Sequence, residues 1–411
     1  MNFSKKHLFF ILSVICILAG CQKDKKEVAM QNVLRIDFQE GDLPSLHPHD
    51  LMIYLRGISI GKTLFEGLTR IHDNGKAQLA GAQSVEVSPN GLVYTFKLRK
   101  NKWSDGHPVT AFQYEASWKE ALLPVSFCSR PDLLYMIKNA IEVKKGALPV
   151  EHLGVQAIDA DTLRVELARP SPHFLELLAQ PICAPLQNPS DRSMKAFNGP
   201  FAIDKWERNA SLVLKPNPHF WNRKQVFLDQ IDVYMIQDTQ TAYALFEKNE
   251  LDWVGVPLCP LSSEQIDHLK TNNKLLSASI DRVFWVFLNT KHTHLSSPAI
   301  RKALSLALNR KTITENVLVG NNPLIKPIPH ALLPIHANTS LREDPAEAKK
   351  IFEEGLKELG LTKENFPPLV ITYSQQASRK QLAEYLQDTW IRSLGIAVRL
   401  EPQECNTLRA N

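Results

Sequence analysis

Few residue patterns in the chain could do chemistry. Gly57-Ile58-Ser59-Ile60-Gly61 spells GxSxG, the letters of a nucleophile elbow, in which a serine on a sharp strand-to-helix turn attacks a carbonyl. That turn needs a central strand before it and Asp and His partners after it. The stretch ahead of Ser59 is too short to build flanking strands, so catalysis by Ser59 is not expected. His47-Pro48-His49-Asp50 and His292-Thr293-His294 each hold two imidazoles at i and i+2, which in an extended segment point the same way and could reach one ion. Pro48 stiffens the first pair, and no Cys or Glu cluster completes either site. These histidines are therefore expected at the surface or in hydrogen bonds, with no metal and no cofactor. Cys128, Cys183, Cys259 and Cys405 are widely spaced and form no CxxC; an oxidising compartment permits three pairings among them, and buried free thiols are the other reading. Arg301-Lys302 and Arg310-Lys311 read as solvated helix faces, and no GxxxxGK[ST] phosphate loop occurs. Nothing here assembles a catalytic set, and the expectation is a protein that is not an enzyme.

The chain of 411 residues leaves room for two or three domains. Its 44% hydrophobic and 22% charged residues exclude disordered and collagen-like classes. A net charge of +5 with no Lys/Arg-rich run makes nucleic acid an unexpected partner. The start of the chain is a targeting segment rather than fold. Lys5, Lys6 and His7 precede the apolar run Leu8 to Leu18, which is too short to cross a bilayer but suits a signal peptide. Leu18-Ala19-Gly20-Cys21 then resembles a bacterial lipoprotein processing site. The resemblance implies removal of residues 1–20 and a diacylglyceryl thioether on Cys21, which would hold the protein at a membrane through a lipid anchor. Gln22 to Val28 would be a short polar tether, and no later stretch is apolar for long enough to span a bilayer.

The remaining pattern alternates strands and helices. Val33 to Phe38 alternates as a strand, and Ser84 to Lys100 reads as a hairpin about the turn Ser88-Pro89-Asn90-Gly91. Thr110 to Leu122 is helical, and Leu163, Val165 and Leu167 mark a strand after the turn Asp159-Ala160-Asp161. Pro170, Pro172, Pro181, Pro185 and Pro189 crowd a segment read as a domain crossing that ends at Asn198-Gly199-Pro200. Strands follow at Leu212 to Leu214 and Ile231 to Met235, a helix at Thr239 to Phe246, an aromatic strand at Val283 to Leu288, and one long helix from Pro298 to Leu318. Asp344, Pro345 and Glu347 form an N-cap, first-turn proline and capping box for a helix that Gly360 stops. Leu369 to Tyr373, a helix ended by Gly395, and Ile396 to Leu400 then make a strand–helix–strand unit with a parallel pair.

A series of motifs carries a family resemblance. It runs Thr63-Leu64-Phe65-Glu66-Gly67-Leu68, Tyr94 to Arg99, Trp103-Ser104-Asp105-Gly106-His107-Pro108-Val109-Thr110-Ala111, Asn198-Gly199-Pro200-Phe201, Asn217-Pro218-His219-Phe220-Trp221, Leu251-Asp252-Trp253, Phe287-Leu288-Asn289-Thr290 and Ile300 to Leu304. In that order the series resembles the family 5 extracellular solute-binding proteins, the oligopeptide-binding receptors of ABC importers. The resemblance implies an α/β, periplasmic-binding-protein-like fold (type II, cluster C), two-lobed with an extra domain. Domain I would take 21–65 and 188–280, domain II would be the insertion 66–187, and domain III would take 281–411. It implies capture of short peptides between two lobes that close by hinge motion, read mainly through main-chain hydrogen bonds, and delivery to ABC permease and ATPase subunits. The protein is then expected as a monomer in the bacterial cell envelope, periplasmic and lipid-anchored. By local alignment the domain I contact strand falls near Met52, Ile53 and Tyr54, and the domain III strand at Phe284 and Trp285 faces the ligand. The Cys that forms a disulfide near this strand in some oligopeptide receptors has no counterpart at Asp281 to Phe284. Family members continue past the segment that ends here at Asn411, so the C-terminal part of the second lobe is expected to be missing. The alternative reading is a truncated receptor-like lipoprotein without transport activity, acting as a surface or interaction module. The Trp103 to Pro108 motif itself reads as structural: a turn with a large apolar plug.

Overall fold

The structure is a computed structural model, and it describes residues 32–39, 41–53, 55–189, 191–278, 283–324, 342–374 and 377–403. The signal segment, Cys21, Tyr54 and Cys405 lie outside the described residues. The chain divides into two compact units, Met1–Gln265 and Ile266–Asn411.

Unit 1 begins with β1 (Val33–Asp37), helix α1 (Leu55–Leu64) and the short strands β2 (Thr69–Ile71) and β3 (Ala77–Leu79). It continues through β4 (Ala82–Val87), β5 (Val93–Leu98), α2 (Ala111–Leu122), β6 (Val155–Asp159) and β7 (Thr162–Glu166), then β8 (Phe201–Glu207), β9 (Ser211–Pro216), β10 (Gln230–Tyr234) and α3 (Thr239–Glu247). Two four-stranded sheets result, ordered β1-β10-β9-β8 and β4-β5-β7-β6. β1 pairs in parallel with β10, matching Ile36 to Val233, whereas β10, β9 and β8 are antiparallel. The β4–β5 hairpin forms as the alternation requires. Gly91 takes φ +68° in its turn, and Tyr94, Phe96 and Leu98 point into one core that runs from Ile36 to Val233.

The Trp103 motif ties these layers together. Gly106 turns at φ +91°, Asp105 Oδ1 accepts from His107 N at 3.1 Å, and the buried Trp103 donates its indole N–H to Gln113 Oε1 at 3.1 Å. The same Gln113 oxygen accepts from Thr110 N at 2.9 Å, so one side chain anchors the tryptophan and caps the start of α2. The proline-rich stretch packs under α2. Trp118 Nε1 donates to Cys183 O at 3.0 Å, Ser117 Oγ donates to Ala184 O at 2.8 Å, and Ile182 to Ala184 are buried. Asn198, buried without exposure, brackets Glu66: its Oδ1 accepts from Glu66 N at 3.2 Å and its Nδ2 donates to Glu66 O at 2.8 Å. Next to it, a Cβ on Gly199 would lie 2.6 Å from the backbone carbon of Leu64, so only glycine lets the two segments meet.

Unit 2 holds α4 (Pro298–Leu306), α5 (Pro345–Glu358), β11 (Leu369–Ser374), α6 (Ala377–Leu394) and β12 (Val398–Gln403), with β11 and β12 paired in parallel. α4 and α5 cross at Gly355, and Trp390 of α6 donates its indole N–H to Leu304 O at 3.0 Å. Four expectations are corrected here. The helix from Pro298 does not run on to Leu318. It stops at Leu306, and Asn309 caps a new turn by accepting from Thr312 N at 2.7 Å, because an Asn side chain competes for backbone N–H groups. The capping box at Asp344 is half made. Asp344 accepts from Glu347 N at 2.9 Å, but its own N–H goes to Leu306 O and the Glu347 carboxylate turns to Arg342 and Lys302. The last strand starts at Val398 rather than Ile396. Finally, Val283 to Leu288 forms no strand: no backbone ladder joins it among the described residues, and side-chain preference alone makes no strand without a partner.

Candidate functional site

In unit 1 the segment expected to carry Met52, Ile53 and Tyr54 as a contact strand is instead a single 3-10 turn, Leu51–Ile53, leading directly into α1. A strand is ruled out here by packing. Leu51 and Met52 are drawn into the core, and Gly57 comes so close to Leu51 that a Cβ would lie 2.6 Å from its carbonyl oxygen. Ile53 is left outward at 44% exposure, the one described residue of this turn whose side chain is exposed.

The histidines ahead of this turn hold it through hydrogen bonds. His47 and His49 are fully buried with ring centroids 4.8 Å apart. His49 Nδ1 meets Glu120 Oε2 at 2.7 Å and its Nε2 meets Ser117 Oγ at 3.1 Å. The His49 carbonyl accepts from both Ser129 N and Ser129 Oγ, at 2.9 and 2.7 Å. Burial, reinforced by the neighbouring His49, pushes His47 down to about 4, and its Nε2 finds no partner among the described residues. Burial works to raise the Glu120 carboxyl, but hydrogen bonds from His49 and Ser126 hold it below the usual carboxylate range. The expectation of hydrogen-bonding histidines thus holds for this pair; surface placement does not. His292 and His294 are the outward pair, with ring centroids 5.7 Å apart and His294 edge-on to Phe366. Among the described residues no group of three His, Cys, Asp or Glu could hold a metal ion.

Ser59 lies inside α1, its Oγ donating to Leu55 O at 3.1 Å. The glycines around it are packing positions, since a Cβ on Gly61 would lie 2.8 Å from Pro181. The strand-to-helix turn of a nucleophile elbow is not what these letters build. Cys128, Cys183 and Cys259 carry free thiols, and burial pushes Cys128 up to about 11 and Cys259 up to about 12, so neither is a thiolate at neutral pH.

In unit 2 the aromatic run is the exposed feature. Phe284, Trp285 and Val286 are 43%, 51% and 41% exposed and Phe287 is 89% exposed, while Leu288 packs on the core of the unit. The Arg379 guanidinium, from α6, lies 4.1 Å above the Phe284 ring. Four consecutive apolar side chains facing water cost free energy that a bound partner would recover, which is how interaction surfaces are recognised. Arg379 was not singled out from the sequence, and Phe287 was read there only as part of a family motif. Phe287 could have been read from its place in the same apolar run; Arg379, nearly a hundred residues on, left no local signal.

Comparison with known proteins decides the family. Residues 76–411 match the model of the bacterial extracellular solute-binding proteins, family 5, middle region. The chain belongs to this family. It is 33% identical over 398 residues to the oligopeptide-binding protein OppA of Bacillus subtilis, covering 93% of this chain and 73% of that one. It is 28% identical to the dipeptide-binding protein DppE of Bacillus subtilis, of whose length it covers 65%. The solved structure of Listeria monocytogenes OppA bound to peptide superposes with a TM-score of 0.78 at 27% identity, covering 93% of this chain and 79% of that one. The fold is therefore that of the periplasmic-binding-protein-like oligopeptide receptors, α/β as the sequence indicated.

Proposed function

We propose that this protein captures short peptides outside the cytoplasm and passes them to the permease and ATPase subunits of an ABC importer, performing no chemistry itself. The observation that carries the reading is the similarity, over 93% of the chain, to receptors named for oligopeptide binding, one of them solved with peptide. The exposed apolar run agrees with it. Ile53, Phe284 and Trp285 offer side chains to the ligand, and Met52, whose side chain belongs to the core, offers backbone. A receptor that reads peptide backbone needs apolar, roomy surroundings rather than residue-specific partners, and half-exposed aromatic and aliphatic side chains provide them. Cys21 carries the lipid that keeps the receptor at the membrane.

Titration calorimetry with a mixed pool of tri- to pentapeptides tests the binding reading. Saturable heat and a thermal upshift support it; no heat and no upshift at saturating peptide overturn it. Incorporation of labelled palmitate in the producing cell, lost in Cys21→Ser, tests the anchor separately.

A further inference from the structure

The start of the described chain is fastened to one face of unit 1. Asn32 N donates to Asp229 Oδ2 at 3.0 Å, Asp229 N donates back to Asn32 O at 2.9 Å, and Asn32 Nδ2 donates to Phe227 O at 3.4 Å. Chain arriving from Cys21 thus enters the fold beside residues 223–229. Ten residues lie between Cys21 and Asn32, a reach of no more than about 40 Å even when fully extended. A lipid on Cys21 would therefore tether unit 1 to the bilayer from beside this face.

The face is built for such a neighbour. Phe227 stands 73% exposed. Arg223 and Lys224 sit on the one-turn helix Arg223–Gln225, Lys224 exposed and without an acidic partner among the described residues, Arg223 spending one N–H on Val226 O at 2.7 Å. A cavity of about 380 Å³ opens beside them, walled by Phe201, Phe220, Val226 and Phe227 with Arg70 in its lining. The Arg70 Nε is buried without a hydrogen-bond partner among the described residues. The two acids nearby are engaged, Glu66 with Trp221 and Arg70, Asp229 with the Asn32 N–H. What remains is an exposed aromatic side chain beside Lys224 and Arg223, neither of which has an acidic partner among the described residues. That pairing suits the boundary between acyl chains and anionic headgroups, where rings bury and each base adds on the order of fivefold in affinity.

We propose that this face of unit 1 lies on an anionic phospholipid surface, with Arg223 and Lys224 meeting headgroup phosphates and Phe227 entering the headgroup–acyl boundary. The proposal rests on the reading of Cys21 as the lipid attachment site. The lipid confines the receptor, and this contact orients it.

The lipidated full chain is placed on vesicles of phosphatidylethanolamine and phosphatidylglycerol that contain a phospholipid with a photoactivatable acyl chain, and labelled peptides are mapped by mass spectrometry. Label is expected within 222–229. It should fall severalfold in Phe227→Ser/Lys224→Glu and on vesicles in which phosphatidylcholine replaces phosphatidylglycerol. The peptide-induced thermal upshift should be unchanged in the double variant, showing that the fold is intact. Label that is spread evenly, concentrated on the exposed Val125 and Phe127 loop, or indifferent to the double variant overturns the proposal. Absence of palmitate at Cys21 overturns the anchor reading and this proposal together, whereas palmitate present with label elsewhere overturns this proposal alone.

Discussion

Replacing Asn198 with Ala should destabilise unit 1 and leave unit 2 as it was. The Asn198 side chain is wholly buried and makes two hydrogen bonds, both to the backbone of Glu66, a residue 132 positions away. Alanine removes both partners at once and leaves one N–H and one C=O buried without water. Each unpaired group costs about 1–3 kcal/mol, so the expected loss is about 2–6 kcal/mol. For a unit of this size each kcal/mol lowers Tm by roughly 2–4 °C, which gives a fall of roughly 4–24 °C. Asn198→Asp makes a sharper control: it keeps an acceptor for the Glu66 N–H but sets a carboxylate against the Glu66 carbonyl, so it should be no more stable than the alanine variant. The readout must separate the units, so backbone hydrogen exchange is suited to it. Protection should drop at β5, by roughly thirtyfold or more for a 2 kcal/mol loss, and hold at β11. A Tm change under about 2 °C, or an equal loss of protection at β11, would refute the reasoning, the first by showing that the bracket carries little, the second by showing that the units do not open separately.

Two buried groups give opposing pH dependences over one window. Burial raises Asp37 to about 6, above its unfolded value of 3.8, so the folded state holds the extra proton and stability falls as pH rises from about 4 to 6. His47 at about 4 lies below its unfolded value of 6.5, so its contribution is present above 6.5 and is lost as pH falls toward 4. Urea unfolding of Asp37→Asn should therefore show a steeper acid loss than the parent, and of His47→Asn a shallower one, each by up to about 3 kcal/mol across the window; parallel profiles for all three proteins would defeat the assignment. Gly355→Val places a Cβ 2.8 Å from the Ile300 side chain and should cost unit 2 about 1–3 kcal/mol, visible as lost protection in β11 and β12 with β5 untouched. Trp285→Ala should weaken peptide binding about five- to thirtyfold by calorimetry while changing stability by no more than about 1 kcal/mol, because half the side chain already faces water.

How much of this was legible depended on whether a signal was local. The β4–β5 hairpin announced itself because alternation and an Asn-Gly turn lie within a few residues, and α2 because its apolar periodicity runs through one short segment. Gly360 and Gly395 stop helices at positive φ, as read. The break at Asn309 was also local, but the apolar stripe continued through it and the periodicity outvoted the cap. Long-range facts left no such mark. Nothing near His49 says that Glu120, 71 residues on, will meet its ring, and nothing in the Leu46 to Tyr54 sequence says that Gly57 must close on Leu51 and wind the contact segment into a turn. The aromatic run at Val283 to Leu288 had strand chemistry but finds no strand partner among the described residues, which only the assembled unit could reveal.

The parallel pairing of β1 with β10 puts a clock into biosynthesis. The partners that meet at Asn32 and Asp229 are 197 residues apart in the chain. At roughly 5–20 residues per second, the first strand waits on the order of 10–40 s for the strand that will shelter it. Throughout that interval the sheet β1-β10-β9-β8 has its first strand but not the strands that will flank it, while β4-β5-β7-β6 can already close within the chain made by Glu166.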